Sequence, residues 1–466
     1  MDRGLSRRDF GKLAIGGMAM AGLAGMGGLA GCSSGGSSTS DSKQDVIDRL
    51  PDLGIPKPVD YLRTRWAEDP LALCSYSYLA PTVYGTGIRR MLAEPVGRMV
   101  FAGEATANIP ATVHGAIQAG ESAARLASRQ LPAGARVIVV GAGAAGLSCA
   151  GALAKAGLEP VVIEAADRIG GRVREGDLEG TPVELGASWI HGVNGNPLTD
   201  LAEQAGVGLK PFSYESQFPV PGQGPMAAGG ERRFNRAINS FAPYAPGAKL
   251  QTVDSLLPWR WGPGLEWAVQ MEVQQEYGAD PGQLAALATW EGPWLGGGDA
   301  LLDGTYSELF AGLAGDAEIR LGSPVEVIER DSSGVTVKWS DDEVRGDAVV
   351  VTVPIGVLKA GTIEFRPALP PGTRKAIEGL GAGLLDKVWL AFEEPFWDEE
   401  AEGFGWIDPA RPGRWGSWVN AVPVTGKPFL MTLTGGSEAR RLERQDDYRL
   451  ISGTMSALAS MFGQTA

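Results

Sequence analysis

Residues 136–174, RVIVVGAGAAGLSCAGALAKAGLEPVVIEAADRIGGRVR, constrain this chain more than any other stretch. Residues 136–140 are an apolar, β-branched run, the pattern of a strand buried on both faces of a parallel sheet. Gly141, Gly143 and Gly146 follow as G-x-G-x-x-G. A helix of small residues is expected over 144–156, and a second strand over 160–164 ends in Glu164. Strand, glycine turn, helix, strand and terminal acid in this order make a βαβ dinucleotide fingerprint. Gly141 permits the tight turn, Gly143 lets a pyrophosphate approach the backbone, and Gly146 lets helix and strand pack closely. The N–H groups opening the helix, on Ala144 and Ala145, face the phosphates. Glu164 is placed to accept hydrogen bonds from an adenosine ribose.

The 466 residues suffice for two domains around a large core. A net charge of -14 argues against a nucleic-acid partner. It suits a cationic ligand, although ordinary solubility accounts for it as simply. No internal segment is apolar enough, for long enough, to span a bilayer. The N-terminus reads as a targeting segment. Ser6-Arg7-Arg8-Asp9-Phe10 resembles a twin-arginine export signal, an apolar stretch occupies 13–30, and Leu29-Ala30-Gly31-Cys32 resembles a lipoprotein cleavage box. Residues 1–31 are therefore expected to be a signal. Cys32 is expected to carry a lipid that anchors the protein to the membrane in an extracytoplasmic location. A signal cleaved without lipidation is the alternative. Residues 32–45 read as a Ser/Gly tether. Twin-arginine export carries folded proteins, and a cofactor inserted in the cytoplasm is one physical reason to use it. Besides Cys32 there are only Cys74 and Cys149, so no disulfide framework is implied.

Beyond the fingerprint, residues 194–298 are rich in Pro, Gly and Trp, with short helical patches such as 265–277. This suits an inserted, loop-rich region. A hairpin is expected over 323–339 around Ser332-Ser333-Gly334, and strands over 347–353, 384–392 and 428–434. Ahead of the fingerprint, 98–102 reads as a strand and 112–131 as a helix, joined to Arg136 by a short connector.

Several blocks resemble the flavin-dependent amine oxidase family, which includes polyamine oxidases, monoamine oxidases, L-amino acid oxidases and histone lysine demethylases. They are the fingerprint with IGGRV, then ELGASWIHG, VVVTVPIGVLKAGTIEFRPALP and LLDKVWLAFEEPFW. ASWIHG and PVTGKPFLMTLTGG look most like the polyamine oxidase and demethylase branch. The resemblance implies an α/β fold: a Rossmann-like FAD-binding domain (91–195 and 315–355) with a second, mixed α+β substrate domain (46–90, 196–314 and 356–466). One feature departs from the family. DYLRTRW (60–66), CSYSY (74–78), FAGEAT (101–106) and ATVHGA (111–116) precede the fingerprint, whereas in relatives they end the chain. The chain is read as circularly permuted, with a fused or swapped arrangement as the alternative.

The resemblance also implies roles. Lys387 corresponds to the lysine that holds a water beside the flavin. His191, after Trp189, lies by the substrate amine. Glu104 binds the flavin ribityl chain, and Gly103 with Thr112 and Val113 brings a second helix N-terminus to the cofactor. Gly171 and Arg172 sit beside the pyrophosphate and ring. Gly186, Ala187, Ser188 and Trp189 line the flavin, and Val325 pairs its backbone with the adenine. Tyr76 is one wall of the aromatic sandwich around the substrate amine, Thr112 stands where the second ring would be, and Tyr78 belongs to the core. His114 suits a structural role as well as a ligand role. Cys74 lies near the position where covalent members attach flavin through sulfur, but Ser75 separates it from Tyr76. FAD is therefore expected to be bound non-covalently, with a Cys74 link as the alternative. No metal is expected. The implied reaction moves hydride from the carbon beside an amine to flavin. The imine then hydrolyses and molecular oxygen becomes hydrogen peroxide. The expected substrate is a polyamine or secondary amine. The rivals are a monoamine oxidase and an L-amino acid oxidase, the latter needing a cation such as Arg232, Arg233, Arg236 or Arg260. A flavin-binding lipoprotein without oxidase turnover is the rival of another class.

Overall fold

A computed structural model describes residues 42–129 and 131–463. The signal, Cys32 and most of the tether lie outside the described residues. The tether's expected end is corrected. Lys43–Asp48 is a helix, closed by a capping box between Ser42 and Asp45, with Val46 and Ile47 buried.

The fingerprint strand Arg136–Val140 is the middle strand of a five-stranded parallel sheet. On one side lie Glu159–Ile163 and then Glu318–Arg320, and on the other Ala348–Val351 and then Met99–Phe101. Its inner residues are almost wholly apolar and buried, as strands covered on both faces must be. These strands fall within 91–195 and 315–355. Helix Val113–Ser128 carries the chain from Met99–Phe101 to the fingerprint strand and packs against the fingerprint helix Ala144–Lys155. The approach is close because the contact is made of small residues. A Cβ added to Gly120 would lie 2.1 Å from the Ala145 carbonyl oxygen, and the Ser148 hydroxyl donates to the Ile117 carbonyl.

A second five-stranded sheet is antiparallel, in the order Asp60–Arg63, Leu385–Ala391, Phe429–Gly435, Ser417–Asn420, Gly403–Gly405. A segment from near the start of the described chain thus forms one edge of a sheet otherwise built near its end. Arg63 donates to the carbonyls of Leu442, Glu443 and Gln445, and Tyr61 donates to Asp447. Val46, Ile47 and Leu50 share one apolar cluster with Leu458 and Met461 of the last helix, Asp447–Phe462.

Two expectations need revision. The first strand of the predicted hairpin is Val327–Arg330, pairing with Val335–Trp339, so 323–326 is not strand. The region 194–298 is more ordered than its composition suggested. It holds a 17-residue helix, Gln223–Asn239, that the sequence did not announce. The helical patch expected over 265–277 is present, as a helix Pro263–Val269 that continues as a π-helical turn, Gln270–Gln275. A three-stranded sheet, Trp189–Ile190, Asp299–Asp303 and Gly208–Phe212, brings both ends of the region beside the fingerprint domain.

Candidate active site

One cavity of about 1070 Å³ runs from the fingerprint to the helix Gln223–Asn239. It meets nearly every residue singled out by sequence. Gly103, Glu104, Thr112, Val113, Gly141, Gly143, Ala144, Ala145, Glu164, Gly171, Arg172, residues 186–189 and Val325 line it, as do Tyr76, His191 and Lys387. Gly146 does not, because it faces the strand. A Cβ there would lie 1.8 Å from the Gly141 carbonyl oxygen, which is the helix–strand contact expected of it.

The dinucleotide end has the shape and polarity for FAD. At Gly143 an added Cβ would have only the Gly170 carbonyl within 4 Å, at 3.8 Å, so backbone forms the cavity floor there. Gly143 gives the fingerprint helix no side-chain cap, and the first amides are left for an anion. Gly141 turns with φ of 106°, a region that favours glycine. Glu164 is anchored by the N–H groups of Ala142 and Ala166, at 2.6 and 2.8 Å, one on each carboxylate oxygen. Each oxygen retains acceptor capacity for a ribose hydroxyl. The Val327–Arg330 ladder stops short of Val325, which lies on the wall where an adenine edge would meet its backbone.

Glu104 and Arg172 meet at 3.0 Å, the guanidinium also donating to the Ser75 carbonyl. Burial pushes the Glu104 carboxyl up. Arg172, the Ser77 hydroxyl and Arg89 outweigh it and hold the group below the usual carboxylate range. Ser77 passes the network on: Arg89 donates to its hydroxyl and pairs in a fork with buried Glu291. Ser77, Arg89 and Glu291 belong to no motif, and only the fold brings them together.

Lys387 is buried on Leu385–Ala391. Its Nζ donates to the carbonyls of Glu184 and Gly186 and to the Ser188 hydroxyl, at 3.1, 2.5 and 2.5 Å. It also lies 5.7 Å from the centre of the Trp189 ring. Burial lowers its pKa from 10.5 to about 7, with Glu184 acting against the fall. Burial likewise raises Glu184 to about 7. The Tyr76 hydroxyl donates to the Gln275 carbonyl at the end of the π-helical turn, which fixes the ring at the cavity wall.

Three more of the residues singled out by sequence have definite surroundings. The Thr112 hydroxyl donates its proton to the Ile109 carbonyl, and its oxygen caps the helix by accepting from the Gly115 N–H. His114 is buried away from the cavity, its Nδ1 3.4 Å from Asn196 Nδ2. Cys74 is buried in the core with Leu79 and Met99, while its neighbours Ser75 and Tyr76 face the cavity. Burial pushes its thiol up. Sequence reasoning missed Asp299 and Tyr214. Asp299 accepts from His191 Nδ1 and from the Tyr214 hydroxyl, and Tyr214 takes a left-handed backbone with φ of 61°.

A dinucleotide cradle opening onto a chamber with a buried, easily neutralised lysine defines an FAD-dependent oxidoreductase. The family model for flavin containing amine oxidoreductase matches residues 29–128, 144–268 and 264–466. A model for pyridine nucleotide-disulphide oxidoreductase matches 95–179. The chain is 32% identical over 371 residues to polyamine oxidase 4 of Oryza sativa subsp. japonica, covering 72% of this chain and 74% of that protein. It is 33% identical over 347 residues to lysine-specific histone demethylase 1 homolog 1 of Arabidopsis thaliana, covering 66% of this chain but 40% of that protein. Cyclohexylamine oxidase from Brevibacterium oxydans IH-35A shares the fold with a TM-score of 0.58 at 23% identity, over 71% of this chain and 82% of that one. Putrescine oxidase shares it with a TM-score of 0.54 at 20% identity, over the same shares of each chain. The chain belongs to the flavin containing amine oxidoreductase family.

The buried lysine gives a stability test. Between about pH 7 and about pH 10.5 the unfolded chain holds a proton on Lys387 that the folded chain lacks, so stability rises with pH across that window. Lys387→Met removes this contribution. Urea unfolding of the holoprotein near each end of the window should show wild type gaining stability relative to the variant as pH rises. An unchanged difference would contradict the assignment.

Proposed function

We propose that this protein oxidises a polyamine or a related secondary amine. The observation that carries this reading is the charge of the cavity beyond Lys387. Glu215, Glu231, Glu272 and Glu276 line that arm. Among the described residues, the Arg and Lys side chains on the cavity wall are Arg168 and Arg172, toward the dinucleotide end, and Lys387, at the boundary with the acidic arm. Arg232, Arg233, Arg236 and Arg260, the cations considered for an amino acid's carboxylate, do not line it. Phe212, Tyr214, Phe218 and Trp267 supply apolar walls for the methylenes between amino groups. An acidic, aromatic arm suits a chain of ammonium groups and disfavours a carboxylate. The polyamine oxidases among the relatives agree with this reading.

Bound FAD would supply the hydride acceptor, with molecular oxygen taking the electrons on to hydrogen peroxide. The chain's part is to hold the amine. Tyr76 and Trp189 close round the reacting end, and the glutamates hold a distal ammonium. Lys387, anchored by three oxygens, holds or moves a proton there during hydrolysis of the product imine. With spermidine, benzylamine and L-amino acids as probes, peroxide release should be fastest with spermidine. Glu272→Gln should raise the spermidine KM about tenfold, the scale of one lost hydrogen bond to a charge, and the benzylamine KM less. Turnover of amino acids alone would overturn the reading.

We further propose that the protein is exported by the twin-arginine route and anchored to the membrane through Cys32, on the strength of the N-terminal motifs. Cys32→Ala should move it from the membrane to the soluble extracytoplasmic fraction. An unchanged membrane fraction would contradict the anchor.

We also propose that the family's order of elements is circularly permuted here. In support, linear matches to relatives leave out a share of the chain similar to that ahead of the fingerprint, and the two ends of the described chain pack in one cluster. A gene that begins near Ala135 and joins residue 463 to residue 56 by a short linker, ending near Leu131, should yield a soluble protein that retains FAD. Failure of that protein to bind FAD would count against permutation.

A further inference from the structure

A carboxylate that no motif marks stands behind the amine site and joins two of its walls. Asp299 opens the strand Asp299–Asp303, is 7% exposed and does not line the cavity. Its Oδ2 takes His191 Nδ1 at 2.7 Å and the Tyr214 hydroxyl at 2.6 Å, and its Oδ1 takes the Gly192 N–H at 2.8 Å. His191 and Tyr214 both line the cavity. The chemistry of these groups fixes the protons. An ionised carboxylate only accepts, so the phenol donates to it and a neutral imidazole must carry its proton on Nδ1. The other ring nitrogen, Nε2, is left as an acceptor on the side of the ring away from Asp299. Burial works against ionisation of Asp299, but His191, Tyr214 and the Gly192 amide outweigh it and hold the group low.

Tyr214 adds a second observation. It is a non-glycine residue in the left-handed region, φ 61°, where a side chain is disfavoured unless its surroundings hold it. The hydroxyl bond to Asp299 does so together with two rings. Trp189 stacks at 6.3 Å and 23°, and Phe212 meets it edge-on at 4.8 Å and 88°. Asn196 donates to the His191 and Gly192 carbonyls and so fixes the turn that carries the imidazole.

We propose that Asp299 is the positioning residue of the amine site. It fixes His191 as an Nδ1–H tautomer whose Nε2 lone pair receives an N–H of the substrate, and it locks the Tyr214 ring as the wall beside that amine. The inference rests on the amine-oxidising reading and deepens it. A lone pair at this point accepts from an amine or ammonium and repels a carboxylate, so the same device selects amines over amino acids.

The chain contains only two histidines, His114 and His191, so the imidazole tautomer can be read directly. Holoprotein labelled with ¹⁵N-histidine, with His114→Gln to assign the signals, should show neutral His191 protonated on Nδ1. In Asp299→Asn an amide N–H can face the ring, and the proton should shift to Nε2. Stopped-flow reduction of the bound flavin by spermidine should then need about tenfold more spermidine for half-saturation, with a smaller loss in limiting rate. Tyr214→Phe keeps the carboxylate, so it should keep the tautomer while weakening spermidine binding less; it serves if Asp299→Asn does not fold. A wild-type His191 protonated on Nε2, or an Asp299→Asn protein with unaltered tautomer and saturation, would overturn the proposal. Absence of flavin reduction by any amine in the wild type would instead overturn the substrate reading, and the tautomer would still decide the role of Asp299.

Discussion

The ion pair between buried Glu104 and half-buried Arg172 is the joint on which this architecture depends. Glu104 comes from the segment ahead of the fingerprint strand, and Arg172 from the segment after the second strand. Between them lie the Ser75 carbonyl and Ser77, which lead to the aromatic wall at Tyr76. Glu104 is buried while Arg172 keeps 21% of its side chain exposed at the cavity, so removing Arg172 would leave a buried carboxylate without its nearest cation, which is destabilising. Glu104 therefore requires the segment that carries Arg172 to be in place. The dinucleotide floor, the wall carrying Tyr76 and the Arg89–Glu291 pair behind it are set by one connected set of hydrogen bonds.

From that joint the cavity divides by charge. At the dinucleotide end the wall carries the first amides of the fingerprint helix, Arg168 and Arg172, with the carboxylates of Glu164 and Glu104 beside them. Past Lys387 the wall turns acidic and aromatic. The lysine stands at the boundary with all three N–H groups of its ammonium directed at protein oxygens, and its burial makes the uncharged form accessible near neutral pH. A group in that state can accept or return a proton without leaving its site, which suits the proposed hydrolysis of an imine.

What the sequence made legible was local chemistry. The glycines of the fingerprint act within a few residues of one another, so spacing alone specified their roles. Glu104, Arg172, Lys387 and His191 were reached because each lies inside a block whose resemblance to relatives was clear. Asp299 gave no such sign. Its meaning comes from His191 and Tyr214, 108 and 85 residues away, which meet it only after the three-stranded sheet forms. Thr112 lines the cavity, but its hydroxyl is spent on the Ile109 carbonyl and a helix cap. Helix Gln223–Asn239 was hidden by its glycines. Gly230 reads as a helix breaker, yet it is where the helix crosses the backbone at Gly264, leaving no room for a Cβ. The π-helical turn 270–275 has no sequence signature, although its last carbonyl holds Tyr76.

The central claim is that the acidic arm delivers an amine to FAD held on the fingerprint. Anaerobic mixing of the holoprotein with spermidine, followed by flavin absorbance, tests it most directly. The account predicts that spermidine bleaches the oxidised flavin fully and that L-amino acids at equal concentration do not. An absorbance that persists with every amine tried, or that is lost to amino acids alone, would contradict it.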